Sequence, residues 1–413
     1  MSVKDMLQDM VSKGATDIIF STGSAPAGRF GGRLLPYNQD KFPAELLNKM
    51  VFDVMMNEEQ RTRFEMTGEM DLTVNLAGVG RFRANVYRQR GELAVAFRTI
   101  MSRIPSLTEL ELPESVRRLL DFPDGLILVA GPSDSGRTTT VASMLDHVNN
   151  TRECHIVTVE DPVEFIHTTR KSLISQRELG RDTASYASAL KVILKQAPDV
   201  VFIDEMPDLE TIVGVLKLAE TGHLVITTVP ARTSGQAVDR LINLFPPYQQ
   251  QQIRTQLAMT LRGVIAQQLL PGVSDAQRVA AREVLIAAPP IVSLIQEGKT
   301  HLIPNVVAQG GALGMIAMDE HLRQLAEAGR IAPRVAMARA TDSAKMVDAQ
   351  RGQADLANLE KALYDPSADR RKAAELELQK LASTGNKGAS EILEQFARFY
   401  QTNFDDKKIG VRR

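Results

Sequence analysis

A short run of turn-forming residues between an apolar segment and a helical pattern has the spacing of a phosphate-binding loop. The predicted strand Gly125–Ala130 leads into Gly131-Pro-Ser-Asp-Ser-Gly-Arg-Thr, and a helix is predicted to continue through Val141. Such a loop directs consecutive backbone N–H groups and a helix N-terminus at phosphate oxygens. The predicted nucleotide contacts are Ser133, Asp134, Ser135, Gly136, Arg137, Thr138 and Thr139, with Thr138 also a candidate Mg²⁺ ligand. The alternative is a glycine-rich strand–helix turn unrelated to nucleotides.

Two residues of this loop weaken the predicted phosphate site. Arg137 stands where the loop pattern has lysine, and its planar fork is bulkier than an ammonium group. Asp134 adds a carboxylate to the same loop. A carboxylate ~5 Å from a phosphate charge costs roughly 3 kcal/mol per unit-charge pair at an effective dielectric constant of about 20. We therefore expect weakened phosphate binding.

Acidic residues follow two further predicted strands. His155–Glu160 ends in an acidic run that holds Glu160, Asp161 and Glu164, and Val200–Glu205 ends in Asp204 and Glu205. Because ligand sites of α/β sheets lie at the carboxyl ends of the strands, such acids can activate water or order Mg²⁺. Glu160, Glu164 and Glu205 are the candidate catalytic acids, and Asp161 is a candidate Mg²⁺ ligand. For the first group, a solvated strand end is the alternative.

Histidine and arginine complete the set of candidate site residues. His223 begins the predicted strand His223–Val229 and is a candidate catalytic residue, with a packed or capping histidine as the alternative. In Arg81-Phe-Arg-Ala-Asn-Val-Tyr-Arg, alternation of period two directs Phe82 inward and leaves Arg81 and Arg83 outward. An exposed strand face explains these arginines as well as ligand binding does.

The chain divides into segments with different patterns. Residues 1–102 predict a small α+β module with a strand from Asp17, a helix over about Ala44–Thr67, and strands from Asp71 and Gly80. The proline-punctuated residues 103–113 predict a linker. In residues 114–345, apolar strands alternate with longer helices, which predicts an α/β fold with a mostly parallel sheet. A long helix is predicted over Tyr248–Leu270.

Residues 346–413 predict a separate helical extension. Apolar residues at helical spacing form stripes that are broken at Pro366 and Gly385. The stripes comprise Leu356, Leu359, Leu363, Leu376, Leu381, Ile392, Leu393, Phe396 and Phe399. They could pack within their own domain, dock a partner or bind a component of the system that the protein serves, and the sequence does not choose among these roles.

Composition excludes several classes of protein. The 413 residues carry 49 Lys and Arg against 50 Asp and Glu, a formal charge of −1, which disfavours a dedicated nucleic-acid binder. The single cysteine, Cys154, excludes an internal disulfide and a multi-cysteine metal site, and a reducing compartment such as the cytosol is expected. No run of about 18 apolar residues is present, so we expect no direct membrane insertion.

Taken together, these motifs resemble the secretion ATPase superfamily and, within it, the PilT/PilU branch of type IV pilus retraction motors. The resemblance covers roughly residues 1–345. It rests on the loop, on Val159-Glu-Asp-Pro-Val-Glu-Phe-Ile-His, on Pro198-Asp-Val-Val-Phe-Ile-Asp-Glu-Met-Pro-Asp, on Ala219-Glu-Thr-Gly-His-Leu and on Asp239-Arg-Leu-Ile-Asn-Leu-Phe-Pro, all in the family order.

The resemblance implies a PAS-like N-terminal domain, a RecA-like P-loop NTPase domain, and ATP with Mg²⁺ as cofactors. It also implies a hexameric ring that acts on the pilus through the inner-membrane platform protein. In the family, arginines such as Arg81 and Arg83 reach a phosphate or an acid of the neighbouring subunit. A cytoplasmic location, peripheral to the inner membrane, follows from the same resemblance.

Departures from the family pattern fall at several elements of one site. Arg137 replaces the lysine of the family pattern, and Asp134 replaces a small residue of the same loop. Pro230 replaces the second histidine of the family's His box. Asp204 replaces a glycine of the family pattern, and Pro207 and Lys195 each replace an arginine. These changes favour an accessory or regulatory ring subunit with impaired hydrolysis, in a homo-oligomer or beside a competent PilT-like paralogue. The alternative is an active hexameric ATPase that powers retraction itself.

Overall fold

The computed structural model describes residues 3–30, 33–100, 103–273, 278–342, 358–364, 367–383 and 387–404. The chain forms two compact units, residues 1–332 and 333–413, which are described separately. Within the described residues, no helix combines the length and the apolar character that crossing a membrane requires.

The first part of unit one is an antiparallel sheet covered by helices. Its strands are β1 (Asp17–Ser21), β2 (Ala27–Phe30), β3 (Arg33–Pro36), β4 (Glu69–Leu76), β5 (Gly80–Gln89) and β6 (Glu92–Ile100), in the spatial order β3-β2-β1-β6-β5-β4. The helices are α1 (Val3–Ser12), α2 (Ala44–Lys49) and α3 (Glu58–Thr67). Phe20, Phe82 and Phe97 form the centre of the core, with edge-to-face ring contacts between Phe97 and each of the other two. The predicted inward position of Phe82 is confirmed, since it is fully buried.

The helix predicted over Ala44–Thr67 is interrupted. A π-helical turn at Met50–Met55 follows α2, and α3 begins afresh after Asn57. The Asn57 side chain accepts a hydrogen bond from the Gln60 N–H at 2.8 Å, and the Gln60 side chain accepts one from the Asn57 N–H at 3.0 Å. This reciprocal cap satisfies two N–H groups that a helix start leaves without partners, and it therefore favours a new helix at this point.

The second part of unit one is a seven-stranded sheet with helices on both faces. Its strands are β7 (Gly125–Ala130), β8 (His155–Glu160), β9 (Leu173–Glu178), β10 (Val200–Ile203), β11 (Leu224–Val229), β12 (Leu261–Pro271) and β13 (Arg278–Ile286), in the order β13-β12-β7-β11-β10-β8-β9. All neighbouring pairs are parallel except β12 with β13. The predicted mostly parallel sheet is confirmed.

Helices cover both faces of this sheet because its strands are apolar on both sides. They are α4 (Glu114–Leu120), α5 (Arg137–Thr151), α6 (Tyr186–Ile193), α7 (Leu209–Glu220), α8 (Ser234–Asn243), α9 (Pro247–Thr260), α10 (Pro289–Gln296), α11 (Ile303–Gln309) and α12 (Met318–Glu327). On β7, Leu126 and Leu128 belong to the core of one face, whereas Ile127 and Val129 belong to the core of the other. Burial on both faces is typical of parallel strands.

The helix predicted over Tyr248–Leu270 was wrong beyond Thr260. The chain leaves the helix at Leu261 and continues as β12, which pairs with β7 on one side and with β13 on the other. Gly263 lies where an added Cβ would be 2.6 Å from a Leu119 methyl group and 2.9 Å from the Leu285 carbonyl oxygen, so close packing requires glycine there. A fully buried apolar run has the same composition as a buried helix, and its tertiary partners decide between the two.

The predicted linker is packed within unit one. Leu107 and Leu112 are buried in the same core as Leu119 of α4. Glu111 forms an ion pair with Arg330 at 2.5 Å. These contacts fix the segment that joins the two sheets along much of its length.

Unit two is helical wherever the structure describes it. Helices lie at Pro333–Arg339, 358–363, Ala368–Ser383 and Lys387–Phe404. Of the predicted apolar positions, Leu359, Leu363, Leu381, Ile392, Leu393 and Phe396 belong to one small core. Leu376 is instead exposed, because the buried positions of its helix are Ala374 and Leu378, which lie one turn apart. Leu356, Pro366, Gly385 and the Phe399 side chain lie outside the described residues.

The buried strand β7 should be sensitive to loss of side-chain volume. Leu128→Ala is expected to lower the free energy of unfolding by about 2–5 kcal/mol, because it removes a fully buried side chain and leaves a cavity. Guanidinium unfolding of the main transition measures the change. Leu244→Ala is the matched control, since Leu244 is exposed at the end of α8 and should change stability by less than about 1 kcal/mol. Equal losses in the two variants would contradict this picture of the core.

Candidate functional site

The phosphate-binding loop follows β7 directly and is shaped by close backbone packing. A Cβ at Gly131 would lie 2.2 Å from Ser135 Oγ and 2.7 Å from the Gln267 carbonyl oxygen, so only glycine fits. Gly136 has a φ of 84°, a left-handed conformation that glycine adopts without steric cost, and α5 begins immediately after it. The loop therefore delivers the N-terminus of a 15-residue helix to the carboxyl end of the sheet.

The side chain of Gln267, on β12, forms hydrogen bonds with this loop and with the start of α5. Its Nε2 donates to the Ser135 carbonyl oxygen at 2.8 Å, and its Oε1 accepts from Thr140 Oγ1 at 2.9 Å. The Gln267 side chain is buried, so both hydrogen bonds are shielded from water. One amide thus links the turn of the loop to the first turn of α5.

Two polar atoms of the loop are buried and have no hydrogen-bond partner among the described residues. They are Ser135 Oγ and Arg137 Nη1. Ser135 is 2% exposed, whereas Arg137, Thr138 and Thr139 are half-buried, and Ser133 and Asp134 are exposed. Buried polar groups are normally satisfied, so these two atoms are available to a polar ligand.

Asp134 is the conformational exception in this loop. Its φ is 60°, in the left-handed region where a side chain is unfavourable and glycine is preferred. The carboxylate is exposed, and its Oδ1 lies 3.8 Å from Nη1 of Arg98 on β6. The loop therefore carries a negative charge that faces a cation of the antiparallel sheet.

The predicted acids meet beside the loop because β8 and β10 are parallel neighbours. Ile203 pairs with Val159, and the Asp204 N–H donates to the Val159 carbonyl oxygen at 3.0 Å. This register places Glu160 and Asp204 side by side at the carboxyl end of the sheet. Asp161 and Glu205 are exposed, and Glu164 is half-buried.

Glu160 is a buried carboxyl with two donors. Burial raises its pKa to about 7, and the negative charge of Glu164 adds to this increase. Thr158 Oγ1 donates to Glu160 Oε1 at 2.6 Å and Gln176 Nε2 donates to the same oxygen at 3.1 Å, which opposes the increase. A carboxyl that titrates near neutral pH can act as a general acid or base.

Asp204 shares this environment. Its pKa is raised to about 7, mainly by burial and to a smaller extent by the charges of Glu160, Glu164 and Glu205. The Tyr186 hydroxyl is also buried near this cluster and has no partner among the described residues. Burial, and then the charge of Asp204, raise the pKa of Tyr186 well above its usual range.

Arg81 links the antiparallel sheet to the acid cluster. Its Nη2 lies 3.2 Å from Glu178 Oε2 on β9, and both side chains are mostly buried. The same Glu178 oxygen accepts the Val163 N–H at 3.1 Å, which ties the acidic loop after β8 to this ion pair. The positive charge of Arg81 lowers the pKa of Glu160.

Two candidates do not join this constellation. His223 precedes β11 at the strand end opposite the phosphate-binding loop, since Leu224 pairs with Gly125 and Val229 with Ala130. Six strand residues separate the two ends by roughly 20 Å. His223 Nδ1 lies 3.1 Å from the Leu218 carbonyl oxygen, as a capping histidine would. Arg83 is exposed on β5. The ligand-binding role predicted for Arg83 and the catalytic role predicted for His223 stay predictions.

The predicted Mg²⁺ ligands do not form a complete metal site. Among the described residues, no group of three or more His, Cys, Asp or Glu side chains could hold a metal ion. Thr138 lies in the first turn of α5 and Asp161 in the loop after β8. Because Mg²⁺ in nucleotide sites keeps phosphate oxygens and waters as ligands, this donor set fits a metal that arrives with its nucleotide.

Sequence reasoning missed several residues of the site. Gln267, Gln176 and Glu178 come from β12 and β9, which were assigned to a helix or to no element. Arg98 and Tyr186 lie on elements whose polar residues carried no motif. The segment Leu173–Glu178 begins with two apolar residues and continues with four polar ones, so it carries no alternation and does not reveal which sheet it joins.

Comparisons with known proteins give consistent matches. A family model described as type II/IV secretion system protein matches residues 38–360. The type IV pilus retraction ATPase PilT of Pseudomonas aeruginosa is 38% identical over 331 residues, covering 80% of this chain and 96% of PilT. The type IV pilus ATPase PilU of the same organism is 36% identical over 344 residues, covering 83% and 90%. A crystal structure of the pilus retraction motor PilT with bound ADP matches with a TM-score of 0.77 and 38% identity, covering 83% of this chain and 98% of that one.

The Gln267 amide should govern the order of the phosphate-binding loop. Gln267→Leu is expected to destabilise the protein by about 1–3 kcal/mol, because the Ser135 carbonyl and the Thr140 hydroxyl lose their buried partner. Hydrogen exchange should show faster exchange of the loop amides. Gln268→Leu, on the opposite face of β12, is the matched control and should leave loop exchange unchanged. Unchanged loop exchange in Gln267→Leu would refute the role assigned to this amide.

Stability should fall as the buried Glu160 carboxyl ionises. Its pKa in the folded protein, about 7, lies above the ordinary value of 4.5, so its contribution is full below pH 4.5 and is lost as the pH rises through 7. The loss is at most roughly 3 kcal/mol. Glu160→Gln cannot ionise, so it should lose less unfolding free energy than the unmodified protein between pH 5 and 8. Guanidinium unfolding at both pH values measures this difference, and parallel losses in the two proteins would contradict it.

Proposed function

The chain belongs to the secretion ATPase superfamily as a relative of the PilT and PilU pilus ATPases, and from this premise we propose that it is an accessory or regulatory subunit of a pilus retraction motor, with impaired ATP hydrolysis of its own. The chain covers nearly the whole length of these relatives, so its proposed role concerns the complete motor subunit.

The geometry of the phosphate-binding loop carries this proposal. Arg137 occupies the first position of α5 with one buried guanidinium nitrogen that has no partner among the described residues. A guanidinium satisfies oxygens in a plane, whereas catalysis at such loops uses the compact lysine ammonium between the β- and γ-phosphates. Asp134 adds a carboxylate beside the ligand and holds a backbone conformation that favours glycine. Both changes support binding that is weaker and chemistry that is slower than in a lysine-containing loop.

The remaining site favours retained nucleotide binding. Ser135 Oγ, Arg137 Nη1 and the N-terminus of α5 can donate to phosphate oxygens. Thr138 and Asp161 would hold Mg²⁺, which neutralises phosphate charge when it is bound. Glu160 and Glu205 are the acids that would orient water, and Arg81 already reaches this edge within one chain.

Assembly follows from the same relationship. We propose a PAS-like N-terminal domain over residues 1–102, a linker over 103–113, a RecA-like domain over 114–345 and a helical extension over 346–413. The proposed assembly is a hexameric ring of this chain, or a mixed ring with a hydrolysis-competent PilT-like paralogue. It would act at the cytoplasmic side of the inner membrane on the pilus platform protein, without inserting into the membrane itself.

Restoration of the loop tests the impaired-hydrolysis proposal. Purified protein is expected to show little Mg²⁺-dependent ATP hydrolysis, and the double variant Arg137→Lys with Asp134→Gly should raise kcat by at least about tenfold, since it restores the ammonium and removes the repulsive charge. Phosphate release measures turnover. Arg152→Lys at the other end of α5 is the matched control and should leave turnover unchanged.

Each outcome assigns a different role. Steady turnover by the unmodified protein would make it an active motor and overturn the accessory proposal. Restoration by the double variant places the defect in the loop. If neither protein hydrolyses ATP although both still bind nucleotide, the defect in hydrolysis lies at other positions that differ from the family pattern, such as Pro207 and Pro230. The accessory role would then stand.

A further inference from the structure

Two arginines of the antiparallel sheet reach the nucleotide edge of the parallel sheet. Arg81 of β5 pairs with Glu178 at 3.2 Å, and Arg98 of the adjacent strand β6 lies 3.8 Å from Asp134 in the phosphate-binding loop. β5 and β6 are hydrogen-bonded neighbours, so both contacts depend on one placement of the same sheet. The mostly buried Arg81–Glu178 pair anchors that placement, while the Arg98–Asp134 pair is open to solvent.

Arg98 is itself oriented by its own sheet. Its Nε lies 3.0 Å from Asp17 Oδ1 on β1, which leaves Nη1 directed at Asp134. Glu164 is the further acid whose charge acts on Arg98. The guanidinium therefore bridges a fixed acid of the antiparallel sheet and the acid of the loop, beside the acid cluster.

Asp134 needs such a cation if the loop is to bind an anion. Its carboxylate lies on the loop whose N–H groups, with Ser135 Oγ and Arg137 Nη1, are the proposed donors to phosphate. Without a neighbouring cation, this carboxylate repels phosphate. Arg98 also pairs with Asp17, which in turn pairs with Arg29 at 3.5 Å, so the two arginines balance the two carboxylates and the local charge is close to zero. The position of the antiparallel sheet therefore changes the electrostatic potential at the phosphate site.

We propose that Arg98 is a positioning residue that neutralises Asp134, so that the loop binds a nucleoside diphosphate or triphosphate well only while the antiparallel sheet is docked against it. This inference rests on the nucleotide binding in the proposed function. It adds that the charge of Asp134 makes nucleotide affinity depend on the position of the antiparallel sheet. Loss of docking would weaken binding through Asp134, with no change in the loop itself.

A double-mutant cycle with Mg²⁺-ADP tests the coupling, since ADP binding does not require hydrolysis. Isothermal titration calorimetry compares the unmodified protein, Arg98→Gln, Asp134→Asn and the double variant. Arg98→Gln is expected to weaken ADP affinity about tenfold, and the same change in the Asp134→Asn background is expected to weaken it less than about twofold. The coupling should shrink as salt is raised, because the pair is exposed.

Arg61→Gln is the matched control, because it removes one positive charge from the same part of the chain at an ion pair within α3. It should leave ADP affinity unchanged. If Arg98→Gln weakens binding equally in both backgrounds, or in neither, the inference about Arg98 is overturned while nucleotide binding stands. If none of the four proteins binds ADP, the proposed nucleotide binding fails, and this inference fails with it.

Proximity can be measured without nucleotide. In a Cys154→Ser background, Arg98→Cys and Asp134→Cys should be joined efficiently by a short thiol-reactive cross-linker, whereas Arg61→Cys with Asp134→Cys should not. Efficient cross-linking supports the docked arrangement in solution. Its absence, with both thiols reactive toward a monofunctional reagent, overturns the contact on which the proposal rests.

Discussion

The hydrogen-bonded register of the parallel strands is the constraint on which the site depends. β7, β11, β10 and β8 run side by side in the same direction, so their carboxyl ends form one edge. The phosphate-binding loop, Asp204 and Glu160 all lie at that edge only because each follows its strand without a gap. A shift of one residue between β8 and β10 would separate Glu160 from Asp204 and turn alternate side chains to the other face. The chemistry therefore rests on backbone pairing before any side-chain contact.

Side-chain hydrogen bonds and ion pairs then fix the groups that lie at this edge. Gln267 fixes the loop from the neighbouring strand β12, and Gln176 of β9 holds Glu160 from the other side. The antiparallel sheet then adds cations, with Arg81 near the acids and Arg98 near the loop. Charges that would repel one another are thus balanced by residues from distant parts of the chain.

The sequence predicted the features that depend on neighbouring residues better than those that depend on contacts between residues far apart along the chain. β7 and β8 were predicted at their observed limits because each is a continuous apolar run bounded by turn residues. The loop, Glu160 and Glu205 were predicted from local motifs, and their roles stay predictions. Gln267 could not be predicted, because its partners lie more than 120 residues away and its own segment fits a helix as well as a strand. His223 shows a different limit, since its motif is local but the strand direction places it at the edge opposite the phosphate-binding loop, and its catalytic role stays a prediction.

One outer strand of each sheet, β3 or β9, bears on how copies of this chain can associate. β3 ends its sheet with only four residues, all exposed, and stops at Pro36, which lacks a backbone N–H. β9 ends the other sheet with charged residues near its end, Arg177 and Glu178. Short, proline-ended or charged outer strands oppose the addition of another strand. A second copy that met either of these two edges would then do so through side-chain surfaces, which can separate and re-form without breaking a backbone ladder.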